Sequence, residues 1–165
     1  SITDPLTGLR NRRFLTEILS VEFQRAHRYG TGLTILMADL DRFKEVNDRH
    51  GHLAGDQVLR VFADRLKRRL RASDIAGRYG GEEFLVMLSQ INEEGGELFA
   101  ERWRAEAEED PIELDDGQSI RTTLSIGVAR YTPIFKDGGE LIAAADAALY
   151  QAKESGRNQV IVYEP

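Results

Sequence analysis

The sequence predicts a single α/β domain of the α+β kind, a mainly antiparallel central sheet flanked by helices, and three observations carry that prediction. Apolar runs of helical period alternate with strand-like runs along the whole chain. One run, "LTILMADL" (33–40), stays apolar until it ends in acid, as a central strand buried on both faces would. A Gly80-Gly81 pair divides "DIAGRY" from "EEFLVML", which is the signal of a tight hairpin between two strands. With 165 residues, 41% of them hydrophobic, the chain can bury one sizeable core.

Each element follows from its own residues. Asn11 is an N-cap for a helix over 12–28, where Phe14, Leu15, Ile18, Leu19, Phe23 and Ala26 share one face, and Gly30 to Gly32 end it. The 33–40 strand comes next. A helix from about 53 to 71 turns Val58, Leu59, Phe62, Leu66 and Leu70 inward and carries basic residues in its last turns, where they suit the helix dipole. In the hairpin both glycines tolerate positive φ, and Glu82 and Glu83 open its second strand. A helix near 93–109, with Phe99 and Trp103 packed on the sheet, precedes a strand near 120–130. A helix near 138–155, closed by Gly156, and a last strand "QVIVY" complete the chain. From residue 33 the order is β-α-β-β-α-β-α-β, and its first six elements match the ferredoxin-like split βαβ, an antiparallel sheet with helices on one face.

Composition removes several function classes. Lys and Arg total 22 against 28 Asp and Glu, a formal net charge of -6, which argues against broad binding to nucleic acid or an anionic membrane. The chain has no cysteine, so disulfides and thiolate-bound zinc are excluded and a reducing cytoplasm is permitted. No apolar run approaches membrane-spanning length. The chain enters the turn-rich "TDPLTGLRNRR" almost at once, and we expect one catalytic domain from a longer signalling protein. His50 and His52 in "HGHLAGD" lack the further His or Cys of a transition-metal site, and no G-x-x-x-x-G-K-[ST] pattern occurs for a P-loop.

The predicted topology can set the acidic end of the 33–40 strand beside the hairpin tip, where Asp39 and Asp41 would meet Glu82 and Glu83. Four converging carboxyl groups need cations, and hard oxygen ligands at a partly open site suit Mg²⁺ that also holds substrate phosphates. A lone pair of glutamates would more simply be solvated residues at a hairpin end. Their company decides otherwise: "DPLTGLRNRR", "DLDRFKEVNDRHGHLAGDQVL", "RYGGEEF", "LSIGVA" and "ADAALYQAKESGRN", in this order from Asp4 to Val160.

This set resembles the GGDEF family of diguanylate cyclases, with Glu82 in place of the Asp that names the family. The resemblance implies a fold related to nucleotide cyclase and polymerase palm domains, and condensation of two GTP into cyclic di-GMP with release of two pyrophosphates. It implies two Mg²⁺ ions per half-site, with Mn²⁺ as the alternative, held by Asp39, the Leu40 carbonyl, Glu83 and Glu82. Glu82 either bridges the metals or accepts the hydroxyl proton. Asn47 and Asp56 match guanine-contacting positions; Lys44, Lys153 and Arg157 match phosphate-contacting ones; Gly80 and Gly81 would let the nucleotide approach the backbone. Asp41 either joins the site or holds a neighbouring loop. Arg71 and Asp74 match the family's R-x-x-D inhibitory site for cyclic di-GMP, with Arg102, or Arg104 two residues on, as its further arginine.

Catalysis on two facing GTP molecules implies a homodimer, and a sensor or phosphodiesterase domain elsewhere in the full-length chain is an expected partner. Two other readings compete. One is a GGDEF module that only binds GTP or cyclic di-GMP, against which stand the intact carboxylates, Asn47, Asp56 and Lys153. The other is a different nucleotide cyclase or polymerase-like transferase, against which stands Asp56 as a guanine reader.

Overall fold

The computed structural model describes residues 1–165. Helix α1 (Arg12–Tyr29) begins where Asn11 accepts a hydrogen bond from the Phe14 N–H at 2.9 Å, and it ends at Gly30, left-handed at φ 65°. Strand β1 (Leu33–Leu40) follows, buried at every position as its unbroken apolar run implies. Helix α2 (Phe43–His50) was not expected. Its sequence FKEVNDRH has too few apolar residues to draw a stripe, so periodicity cannot find it; Phe43 alone is buried, and Gly51 at φ 89° closes it. Helix α3 (His52–Arg69) then runs as predicted.

Strands β2 (Ile75–Arg78) and β3 (Glu83–Ser89) form the expected hairpin, but its turn departs from the sequence reading. The connection spans Tyr79 to Glu82, four residues rather than two, and neither Gly80 nor Gly81 has positive φ. Glu83 opens β3 while Glu82 stays in the turn. Arg78 Nε donates to the Gly81 carbonyl at 2.9 Å and the Tyr79 N–H to the Glu83 carbonyl at 2.8 Å, which supports the longer loop.

Helix α4 (Glu93–Glu109) leads to a small hairpin of β4 (Ile112–Glu113) and β5 (Ser119–Ile120), then β6 (Leu124–Arg130). The single strand expected near 120–130 is therefore broken at 121–123. There Thr122 and Thr123 donate their hydroxyls to the Asp41 carbonyl and carboxylate, drawing the chain out of one continuous ladder. Helix α5 (Gly138–Glu154) and strand β7 (Val160–Val162) end the fold.

The five-stranded sheet has the order β2-β3-β1-β6-β7, antiparallel except for the parallel β6–β7 edge. Its four central and left-hand strands with α3 and α4 are the split βαβ, and both helices cover one face around Phe62, Phe84 and Trp103. Helices α1 and α5 cover the opposite face around Leu15, Phe23 and Leu149. In β1, Leu36, Ala38 and Leu40 enter the first core, and Leu33, Ile35 and Met37 the second. No helix is long and apolar enough to cross a membrane.

Close approach fixes α5 against β6. A Cβ on Gly127 would lie 2.1 Å from the Ala145 carbonyl oxygen and 2.3 Å from the Leu149 nitrogen, both rigid backbone. Gly127→Ala should cost about 2 kcal/mol of stability through overpacking; a chemical denaturation midpoint equal to that of the parent would show that α5 is not pinned there.

Candidate active site

The site is set by strand register. Asp39 at the end of β1 lies directly opposite Glu83 at the start of β3, so both side chains leave the same face of the sheet. That face is covered by α5, and Lys153 from its last turn places Nζ 2.5 Å from Asp39 Oδ2. Asp39 is 6% exposed, and burial pushes its pKa up to about 6 against the lowering contact of Lys153, with the Glu82 and Glu83 charges adding to the rise. Glu83 is also pushed up, by burial first and then by the charge of Asp146, while Lys153 and Arg12 pull it down.

Asp146 and Arg12 were absent from the sequence reading. Asp146 stands seven residues before Lys153, two helical turns along one face of α5, and that spacing could have revealed it. Arg12 lies in "NRR" and stacks its guanidinium 4.2 Å from the centre of the Tyr79 ring, beside the hairpin turn.

Glu82 lines a cleft of about 450 Å³ with Lys44, Asn47, Asp56, Arg78 and Gly81, between α2, α3 and the turn. The Leu40 N–H donates to the Glu82 carbonyl at 3.3 Å, tying the turn to the end of β1. Asn47 carries a buried Oδ1 without a hydrogen-bond partner, an acceptor awaiting a donor. A Cβ on Gly55 would lie 1.9 Å from that oxygen, so α3 can approach Asn47 only with glycine there. Gly55→Ala should displace the Asn47 amide and weaken binding of a purine nucleotide about tenfold, read by calorimetric titration; unchanged affinity would remove Asn47 from the cleft's recognition set.

Gly80 and Gly81 serve differently from one another. A Cβ on Gly80 would come within 2.9 Å of Glu83 Oε1, whereas Gly81 has open space around it, where a ligand can approach the backbone. Lys44 is held by Asp48 at 2.8 Å, which raises its pKa, and its side chain stands in solvent at the rim.

Asp41 does not join the acidic cluster. Its buried carboxylate accepts from Thr123 Oγ1 at 2.7 Å, Ser125 Oγ at 2.6 Å and the Asn158 N–H at 3.0 Å. It ties the start of β6 and the α5–β7 turn to the end of β1, so the loop-holding alternative is the one the geometry fits. The fourth acid near Glu83 is Asp146, from α5. That turn carries exposed Arg157 at φ 64°, next to Asn158, which also receives Arg104 Nη1 at 2.8 Å.

Arg71 and Asp74 pair with each other. Arg71 Nη2 lies 2.7 Å from Asp74 Oδ1, its Nε 3.1 Å from the same oxygen, and its backbone N–H donates to Oδ2 at 2.8 Å. The Asp74 side chain is 1% exposed and the Arg71 side chain 49%, so the arginine alone faces solvent. Of the two candidate arginines on α4, Arg104 is taken by Glu101 and Glu108, while Arg102 is exposed beside Arg69. His50 Nδ1 lies 3.1 Å from Gln118 Oε1, a loop contact.

No three His, Asp or Glu side chains converge to metal-ligating distance in this arrangement, and Asp39 is turned onto Lys153. The donor set nonetheless suits a hard divalent cation: Asp39, Glu82 and Glu83 supply oxygens, burial raises two of the three, and an ammonium already occupies the place of a cation on Asp39.

Comparison with known proteins follows the same lines. The GGDEF family, described as "Diguanylate cyclase, GGDEF domain", matches residues 1–159. The chain is 42% identical over 163 residues to diguanylate cyclase DgcP of Pseudomonas aeruginosa, covering 98% of this chain and 24% of that protein. Over 161 residues it is 42% identical to diguanylate cyclase DosC of Escherichia coli K12, covering 98% of this chain and 35% of that protein. It thus spans between 24% and 35% of the length of these curated relatives. The GGDEF domain of DgcB from Caulobacter crescentus, solved in complex with c-di-GMP, superposes with a TM-score of 0.95 at 33% identity, over 100% of this chain and 97% of that one. The active GGEEF domain of a diguanylate cyclase from Vibrio cholerae superposes with a TM-score of 0.87 at 32% identity, over 94% and 97% of the two chains. With its sheet order, its paired Asp39 and Glu83 and a family match over residues 1–159, this chain belongs to the GGDEF domain family of diguanylate cyclases.

Proposed function

We propose that this domain is the catalytic half of a cytoplasmic diguanylate cyclase. The observation that carries the reading is a polar cleft lined by Asn47, Asp56 and Glu82 next to an acidic pair in the sheet, buried Asp39 and half-buried Glu83, with Glu82 adjoining Glu83 in the chain. Guanine presents N1–H and an exocyclic amine along one edge, and the unpartnered Asn47 oxygen and the Asp56 carboxylate are acceptors for those donors. Adenine would set a ring nitrogen acceptor against Asp56 and leave both unpaired, which favours GTP over ATP.

In the reaction the 3'-hydroxyl oxygen of one GTP attacks the α-phosphorus of the other, the bond to the β-phosphate oxygen breaks, and pyrophosphate leaves. The same exchange in the opposite sense closes the ring. Divalent ions held by Asp39, the Leu40 carbonyl, Glu83 and Glu82 would supply charge neutralisation for the triphosphate and a more acidic 3'-hydroxyl. Lys153 and Arg157 bind the phosphates; with the Asp39 carboxylate neutralised by a cation, the Lys153 Nζ, now on Asp39 Oδ2, would be available to a phosphate oxygen. Glu82 would either bridge the ions or accept the hydroxyl proton. Lys44 reaches the same phosphates from the rim.

One domain offers one half-site, so two copies must face each other across a two-fold axis. Product would inhibit through Arg71, whose unpaired Nη1 suits guanine O6 or N7, while Asp74 and the Ser89 carbonyl hold Nη2 in place. Arg102 is the better-placed second arginine, because Arg104 is already paired.

The test is formation of cyclic di-GMP from GTP and Mg²⁺ by this domain fused to a constitutive dimerising helix, with product added in a second series. Synthesis that added cyclic di-GMP inhibits, and that Arg71→Ala relieves, supports cyclase and feedback together. Confirmed dimers that bind GTP and make nothing would leave a binding module.

A further inference from the structure

Helix α2 has two polar faces, and only one of them borders the guanine cleft. Lys44, Asn47 and Asp48 line that cleft. On the other side Arg42, Arg49 and His50 line a second cavity of about 590 Å³, whose far wall is Arg121 and Thr123 in the segment that leads into β6. Val46 and Ile120 are its apolar wall residues; the rest of the lining is polar or charged.

Charge distinguishes this cavity from the rest of the surface. Three arginines line it in a chain of net charge -6. Arg49 and Arg121 are exposed and enter none of the chain's ion pairs. Arg42 touches Glu45 at 3.5 Å, with side chains 63% and 69% exposed, a contact too solvated to hold either residue. The other acid on the wall, Asp41, is buried and directs its oxygens to Thr123, Ser125 and Asn158. Unpaired guanidinium forks in a concave, polar cavity match the oxygens of phosphate groups. Because the arginines stand on two elements, α2 and the 121–123 segment, a ligand with linked phosphoryl groups can engage both walls at once.

We propose that this cavity is a second anion site, separate from the guanine cleft across α2, that takes compounds carrying a diphosphate. The shared chemistry belongs both to free inorganic pyrophosphate and to the tail of a nucleoside diphosphate. Helix α2 would feel its occupant directly, since Asn47 and Arg49 lie on the same two turns.

Binding to the intact domain, followed by amide chemical shifts in metal-free buffer, tests this with inorganic pyrophosphate, adenosine diphosphate and orthophosphate as probes. Pyrophosphate should perturb Arg49 and residues 119–123. Read at residues 119–123, Arg121→Gln should weaken it about tenfold, and Arg49→Gln with Arg121→Gln about a hundredfold, while Lys153→Gln, which alters the phosphate contacts of the catalytic cleft, leaves the affinity read at those residues unchanged. Tighter binding of adenosine diphosphate than of pyrophosphate would support a nucleotide occupant, and the reverse order the free diphosphate. Affinity lost with Lys153→Gln and kept in the double arginine variant would overturn the proposal, as would absence of binding at millimolar concentration or equal binding of orthophosphate.

Discussion

Glu83→Gln in the dimerised domain should lower cyclic di-GMP formation about 10³-fold, and Asp39→Asn should lower it as far. The two side chains stand opposite one another in the ladder, beside the same Lys153, and each carries a charge that burial disfavours. An amide keeps the shape and removes the negative charge that a cation and a triphosphate require between them. Residues that act as one unit lose their effect once, so the double variant should be no slower than the worse single one. GTP affinity should change far less, because Asn47 and Asp56 lie on the other side of Glu82 in the cleft. The measurement is single-turnover product formation together with GTP binding for the two single variants and the double. A Glu83→Gln domain that retains a tenth of parental activity, or two variants whose losses multiply, would separate the carboxylates and remove the common site.

The parts of this fold that were legible in the sequence are those where burial is continuous or periodic. The 33–40 run could be read as a central strand because both of its faces are covered, one by α3 and α4 and the other by α1 and α5. Helix α2 could not, since what holds FKEVNDRH helical is Phe43 alone in the core and a glycine at each side of Asn47's contacts, Gly51 closing the helix and Gly55 admitting it to α3. The hairpin was found by its glycines for a reason that the structure does not bear out: neither adopts positive φ, a Cβ on Gly80 would meet only the end of the Glu83 side chain, and one on Gly81 would meet open space.

The candidate site divides in the same way. Asp39 and Glu83 could be paired from topology, because alternation and strand order fix which side chains share a face. Asp41, two residues on, obeys the same alternation yet is captured by Thr123, Ser125 and Asn158, which only the path of β6 and the α5–β7 turn brings near. Asp146 and Arg12 were missed because their importance lies in the field they impose on Glu83, and a sequence displays residues without displaying fields.

That field gives the second prediction, a pH dependence of stability in the metal-free domain. The Asp39 pKa is raised from 3.8 to about 6 in the folded chain. Below pH 3.8 the group is protonated in both states and contributes nothing. As pH rises from there the unfolded chain releases its proton first, the native state binds more protons, and stability falls until the native carboxyl also ionises near pH 6. The full cost above that pH is about 3 kcal/mol, since one pKa unit corresponds to about 1.4 kcal/mol. Other carboxyl groups titrate in the same window, so the quantity to measure is the stability of the parent minus that of Asp39→Asn, by urea unfolding with chelator present, at pH 4 and at pH 7.5. That difference should fall by about 2.4 kcal/mol between the two, the first ~0.5 kcal/mol being already lost at pH 4 where the unfolded carboxyl is more than half ionised. Added Mg²⁺ should restore most of it to the parent at pH 7.5 and little to the variant, because a cation that binds only the native state stabilises it by mass action. The acidic pair would then be a place where the fold gives up stability that its ligand returns. A difference that stays flat with pH would mean that the Lys153 ammonium, 2.5 Å from Asp39, already compensates the buried charge. The demand for a cation would in that case rest on Glu83 alone.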